Sequence, residues 1–446
     1  MECRASEPMY SWRMKPVDTL IHARWTVPIE PAGALLDHHT LVVNQGRIVA
    51  LLPTETAKQL YSSEQSLERP THVLLPGLVN ANTRAAMSLL RGAPADATGE
   101  RWQDPEFVRD ATQLAIAAML RAGITCFADT HLYPEVVAQT AAAQHIRACV
   151  GLLVTATPTN WAQSPEEYID KGLGVRDNYR DDPLITTAFA CHDTTRLDDA
   201  ILARMGRAAD EIELPLLMTL HQSAEEISSS ITAHGLRPIA RLQRLGLLTP
   251  LLAAVHMTHL SGEDMHLVAG AGISAVYCPR TDLQLHSGAG EIARLHPLGI
   301  NIALGSGDAA RVHAFDLITE MRTAALPANA LKPDAALAPH DILAMATLNG
   351  ARALGLAAET GSLVPDKWAD VCCIDLAHLQ TQPVYDPAAH IVYAASRDQV
   401  SDVWVAGRHL LNAGTLARMD LPALLRLAEH WRQRIARPPD HFGENV

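Results

Sequence analysis

Asn82 and Arg84 stand two positions apart in the stretch VLLPGLVNANTRAAMSLLRG, Val73 to Gly92, directly after an apolar run, Val73 to Val79, that reads as one strand. At that spacing two side chains share a face of an extended strand. Histidines there would offer paired imidazole lone pairs to one metal ion. An amide and a guanidinium stand there instead. The amide oxygen is a weak neutral ligand. The guanidinium has no lone pair and stays protonated, so an inward Arg84 places positive charge where a divalent ion would sit. Such a cation has two other uses: pairing with a carboxylate such as Asp308, or clamping an anion.

Other polar residues follow short apolar runs in the same way. They are Asp129 and His131, then His192 and Asp193 in CHDTT, then Thr219, His221 and Gln222 in MTLHQSAEE. His256 and His259 in VHMTH and Gly307 and Asp308 in GSGD complete the set. A lone histidine near a strand end is more often a hydrogen-bonded structural residue than a ligand, which is the plain reading of His131, His221 and His259. His192 and His256 fall immediately at strand ends and are the better functional candidates. Cys191 and Cys278 read as packing.

Elements that bring such residues together must lie between them. Eight apolar runs, VLLPGLV, ITCFAD, ACVGLLVT, LITTAFA, LPLLMTL, LLAAVHM, ISAVYCP and INIALGS, alternate with helical segments such as DPEFVRDATQLAIAAMLRAG and PEEYIDKGLGVRD. Eight β-α units predict an α/β chain with a parallel (β/α)8 barrel, whose chemistry collects where strands end. Outside them, HTLVVNQGRIVALLP reads as a hairpin turning at Asn44-Gln45-Gly46, and DKWADVCCIDL and VSDVWVAGRHLLNAG repeat that style, with Gly407 in a second turn. The expected organisation is a small composite β-sandwich from residues 1–72 and 359–415, a barrel over 73–358 and a helical tail over 416–446.

The 446 residues are 48% apolar with a formal charge of −13. No basic cluster offers a face to nucleic acid. Seven cysteines form no Cys-x-x-Cys and sit mostly in apolar runs, which suits buried thiols in a reducing compartment. The first residues lack an apolar core of signal-peptide type, and no run of about 18 apolar residues suggests a membrane span. The expected location is the cytoplasm.

The chain resembles the amidohydrolase superfamily, and within it the 5′-methylthioadenosine/S-adenosylhomocysteine deaminases and their chlorohydrolase-like relatives. LLPGLVNANTRAAMSLLRG is similar to the segment PGLVNAHTHAAMSLLRG, and GSLVPDKWADVCCIDL to GSLEPGKxADLVxxD; GITCFAD, AVHMT, TLNGARALGL and PVYDP also match. The resemblance implies one zinc, iron or manganese ion held by a His-x-His pair, a strand-five histidine and a strand-eight aspartate. It also implies a glutamate as proton shuttle and an assisting strand-six histidine. Such a metal lowers the pKa of bound water from about 16 toward 7. Carried onto this chain, the ligand positions are Asn82, Arg84, Thr219 and Gly307, and the shuttle position is Gln222. His256 and His192 are kept, the latter matching a residue that contacts the nucleoside. About a dozen residues of a lid-like loop after SLLRG are absent, which implies a more open pocket.

These readings favour a metal-free pseudoenzyme without cofactor that binds an adenosine-like small molecule near His192 and His256. One alternative is a working deaminase, a hydrolase of non-peptide C–N bonds, built on a shifted site of Asp308, His221 and His256. Another is a metal-free reaction on an anion held by Arg84. The resemblance implies a homodimer; a hetero-oligomer with an active relative is the other assembly considered.

Overall fold

The computed structural model describes residues 14–93, 104–331 and 336–436. The first strands are β1 (Lys15–Thr26), β2 (Leu36–Asn44), β3 (Arg47–Pro53) and β4 (Tyr61–Pro76). Strands β1 and β2 bury alternate residues on opposite faces. Ile21, Leu41 and Val43 join one core; Leu20 and Val42 join another, closed by Ala57 of the helix Thr54–Leu60. The β2–β3 turn has Gln45 and Gly46 at φ 50° and 76°, the left-handed pair that suits a tight hairpin.

The run from Val73 to Val79 is not one strand. Val73–Pro76 finishes β4, the chain changes sheets at Gly77, and β5 (Leu78–Arg84) begins the barrel. Gly77 permits the crossing, because a Cβ there would lie 2.1 Å from Thr125 Oγ1. Apolar character alone could not reveal this break, since both halves are buried.

The barrel continues through β6 (Ile124–Asp129), β7 (Arg147–Leu153), β8 (Ile185–Cys191), β9 (Leu216–Leu220), β10 (Leu252–His256), β11 (Ser274–Tyr277) and β12 (Asn301–Leu304). Each pairs in parallel with the next. A short β13 (Gly307–Asp308) then pairs with β5, setting Asp308 beside Arg84 in register. Asn80 joins this seam: its amide donates to Ser306 Oγ at 2.7 Å and its carbonyl accepts from Ser306 N at 2.9 Å. Seven of the eight apolar runs thus fall on the barrel strands β6 to β12, and the first is divided between β4 and β5.

The chain then returns to the first sheet with β14 (Val371–Asp375), β15 (Val400–Val405), β16 (Arg408–Asn412) and β17 (Thr415–Leu416). The eight-stranded mixed sheet has the order β17-β16-β15-β14-β4-β1-β2-β3. Its two hairpin turns meet: a Cβ on Gly407 would lie 2.6 Å from Gly46 Cα. At the N-terminal end of β7, buried Arg147 forks onto Asp370, with Nε–Oδ2 at 2.7 Å and Nη2–Oδ1 at 3.3 Å. Asp370 also accepts from Thr360 Oγ1 and Ala406 N. This cluster joins barrel to sheet at the end away from the strand C-termini.

The tail helix Leu421–Ile435 packs on the barrel helix Pro105–Leu120. Trp431 stands edge-on to Phe107 at 5.2 Å, and its Nε1–H donates to Asp110. Six cysteines are free and buried; Cys3 lies outside the described residues. Among the described residues, no helix is long and apolar enough to cross a membrane. The shortened loop expected after SLLRG falls on 94–103, also outside the described residues.

Candidate functional site

A cavity of about 210 Å³ opens at the C-terminal ends of the barrel strands. Asn82 and Arg84 reach it from β5, and Thr219 from β9. Thr130 and His192 reach it just beyond β6 and β8, and Gly307, Asp308 and Arg311 close the seam side. His256 ends β10 with φ 79°, followed by Met257 at φ 53°. Left-handed backbone at non-glycine residues costs about 1–3 kcal/mol each and concentrates at functional sites. Here it turns the His256 ring into the cavity.

His256 Nδ1 lies 2.5 Å from Asp282 Oδ1. A carboxylate only accepts, so Nδ1 carries a proton, and in the neutral ring Nε2 then holds the lone pair. That lone pair accepts from the Gln222 amide at 3.3 Å. Asp282 is fully buried, so it orients the ring from beneath. Asp282 had escaped the sequence reading. Its signal was the same as elsewhere, a carboxylate shortly after an apolar strand, here β11. Thr281 and Arg311 were missed as well.

His192 donates from Nε2 to the carbonyl of Thr130 at 2.7 Å. Burial, then the nearby Arg84 charge, hold its pKa well below the usual imidazole range, so the ring is neutral. His131 does not line the cavity, and burial lowers its pKa to about 4. Asp129 turns inward to accept from Ala85 N and His131 N at 2.5 and 3.0 Å. Burial outweighs those bonds and raises its pKa to about 6.

Arg84 Nη1 lies 3.9 Å from Asp308 Oδ2, too far for a hydrogen bond. Asp308 instead caps the next turn, accepting from Ala310 N at 2.9 Å. His221 is placed away from the cavity, with φ 54° and no exposed surface. Its Nδ1 donates to the carbonyl of His259 at 3.1 Å and its Nε2 accepts from Ile239 N at 3.2 Å. Both nitrogens are committed, so the shifted set of Asp308, His221 and His256 is not assembled. Spacing alone did not predict this, because the left-handed turn reverses the side chain.

Gly307 also resists the aspartate that the resemblance implies. Its φ is 67°, and a Cβ would lie 2.3 Å from Thr281 Oγ1. A divalent ion needs several anionic or neutral lone-pair donors converging on one point. Here Asn82 donates its amide hydrogens toward Cys278 Sγ, Thr219 offers a hydroxyl, Gly307 offers no side chain and Arg84 is a cation. This donor set does not fit zinc, iron or manganese. Among the described residues, no group of three His, Cys, Asp or Glu side chains is placed to hold a metal ion.

Residues 73–410 match the amidohydrolase family. The chain belongs to that family. It is 39% identical over 432 residues to a 5-methylthioadenosine/S-adenosylhomocysteine deaminase of Teredinibacter turnerae, covering 94% of this chain and 98% of the other. A protein of the same name from Saccharophagus degradans is 37% identical over 440 residues, covering 94% and 97%. Among solved structures, an adenosine deaminase from Xanthomonas campestris with bound zinc superposes with a TM-score of 0.92 and 40% identity, over 95% of this chain and 99% of that one. An atrazine chlorohydrolase from Arthrobacter aurescens shares the fold, with a TM-score of 0.85 and 20% identity over 93% and 99%.

Beneath the amidohydrolase mouth, Glu320 is fully buried and accepts from Arg280 N at 3.1 Å. Burial holds its pKa up at about 8, against the opposing charge of Arg280. Between pH 4.5 and about 8 the folded chain therefore keeps a proton that the unfolded chain has lost. Stability contributed by this group falls as pH rises through that window, by up to about 1.4 kcal/mol per unit. Asp129 adds to the decline only below about pH 6, and His131, neutral in the fold, contributes a rise with pH that fades as pH passes through 6.5, so the comparison with the Glu320 variant isolates the one group. Glu320→Gln is expected to flatten the decline toward pH 8 and to raise stability there. Urea unfolding of both proteins across that range is the check; parallel declines would remove Glu320 as the cause.

Proposed function

We propose that this chain is a metal-free amidohydrolase that retains the purine-nucleoside deaminase scaffold without its hydrolytic chemistry. One observation carries the reading: Arg84 lines the cavity at a position where the resemblance implies a metal-ligating histidine. The chemistry of the neighbours supports it. Gln222 cannot exchange protons near neutral pH, so His256 is left as a single base facing unactivated water. One positioned base contributes about 10² to 10⁴ in rate, far short of what a metal-held hydroxide adds. The high identity to proteins named as deaminases, and to an adenosine deaminase solved with zinc, supports an adenosine-like ligand for the retained His192 and His256. The protein would act as a binding subunit in the cytoplasm, as a homodimer or beside an active relative.

Metal analysis and turnover on one preparation test this. Protein purified in the presence of zinc, iron and manganese is expected to hold substoichiometric metal. It should release no ammonia above blank from 5′-methylthioadenosine, S-adenosylhomocysteine or adenosine. One equivalent of metal together with ammonia release would overturn the proposal.

A further inference from the structure

Arg84 is a poorly satisfied charge that faces the cavity from β5. Among the described residues its guanidinium makes no hydrogen bond, and its one ion pair, to Asp308, is 3.9 Å long. A guanidinium carries five donors in a planar fork suited to carboxylate or phosphate. Arg311 adds a second guanidinium to the same lining, and no ion pair to Arg311 occurs among the described residues. Asp308 is the only carboxylate among the lining residues and already caps Ala310. Asp282 faces His256 from below, and Glu226 is turned onto the backbone of His221 and Gln222. Thr219 also lines the wall, whereas Thr130 Oγ1 is buried and the Thr281 hydroxyl donates to the Ser306 carbonyl at 3.2 Å. The lining thus presents two cations against one occupied anion. A partly enclosed space raises the worth of such charges over that in bulk water.

We propose that the mouth is an oxyanion site, in which Arg84, with Arg311 at the rim, grips the carboxylate or phosphate end of a small ligand. This deepens the metal-free reading and rests on it, since a dication and the Arg84 fork would compete for one place. A volume of about 210 Å³ is below the usual range for a whole drug-sized ligand, so the site suits a small anion or one end of a longer molecule.

The test is calorimetric binding of inorganic phosphate and of acetate to the full-length protein at low ionic strength, with metal content measured on the same sample. Metal-free protein is expected to bind at least one of the two. Tighter phosphate binding would assign a phosphate ligand, and tighter acetate binding a carboxylate ligand. Arg84→Met should weaken binding by at least about tenfold, the loss of a charge-assisted bidentate contact. Arg84→Lys should recover part of it as a point charge. Arg180→Met, at an exposed arginine paired with Asp181, removes the same net charge elsewhere and should leave binding unchanged. Thermal melting reports whether each variant is folded, and Arg84→Gln replaces the methionine variant if that one is not. Metal-free protein that binds neither anion, or binds equally well without Arg84, overturns the oxyanion site while leaving the metal-free reading intact. Stoichiometric metal in the sample overturns both.

Discussion

Zinc is expected to bind at one equivalent once Asn82, Arg84 and Thr219 are replaced together by histidine, whereas the unaltered protein stays substoichiometric. All three positions face one cavity, two from β5 and one from β9. Three imidazoles with an open fourth position form a known type of zinc site. The dominant gain comes from removing Arg84. A unit charge and a dication about 4 Å apart repel by about 8 kcal/mol at an effective dielectric of about 20, twice the value for two unit charges. No neutral amide or hydroxyl offsets a term of that size. Metal analysis with chelator competition is the measurement. A folded triple variant that takes up no zinc would show that these positions do not converge. Adding Gly307→Asp should not help, because the left-handed φ and the Thr281 contact force β13 to move. Deamination should stay absent until Gln222→Glu supplies a group able to move protons.

The second large effect lies at the opposite end of the barrel. Arg147→Met is expected to destabilise the fold by about 3–5 kcal/mol, the usual result of leaving one partner of a buried ion pair uncompensated. Arg147 and Asp370 are both buried, and the pair spans the junction between β7 and the terminal sheet. Arg147→Met combined with Asp370→Asn should cost less than the sum of the single changes, because the orphaned charge is removed. Denaturant unfolding of the four proteins gives the coupling. Additive effects would mean that the two side chains do not act as a pair.

The barrel was legible because its signal is local. Eight apolar runs separated by helical segments have one economical arrangement, and the Gly46 and Gly407 turns named the hairpins of the second sheet. The supply of lone pairs at Asn82, Arg84, Thr219 and Gly307 was legible too, since residue identity limits it whatever the geometry. Direction was not legible. The run from Val73 to Val79 hid a change of sheet at Gly77, as burial on both sides erases the contrast that marks a boundary.

By itself, the sequence determined which groups this chain owns at Asn82, Thr219, Gly307 and Arg84: an amide, a hydroxyl, a hydrogen atom and a cation. Only the tertiary structure decided where the remaining groups point. His221 turned away because a left-handed φ aimed its ring at backbone partners. His256 turned inward over Asp282, a residue distant in sequence. Arg84 was left facing the cavity beside a carboxylate already engaged. Composition limits lone pairs and charges, whereas their convergence depends on backbone angles and packing that no short stretch of chain specifies.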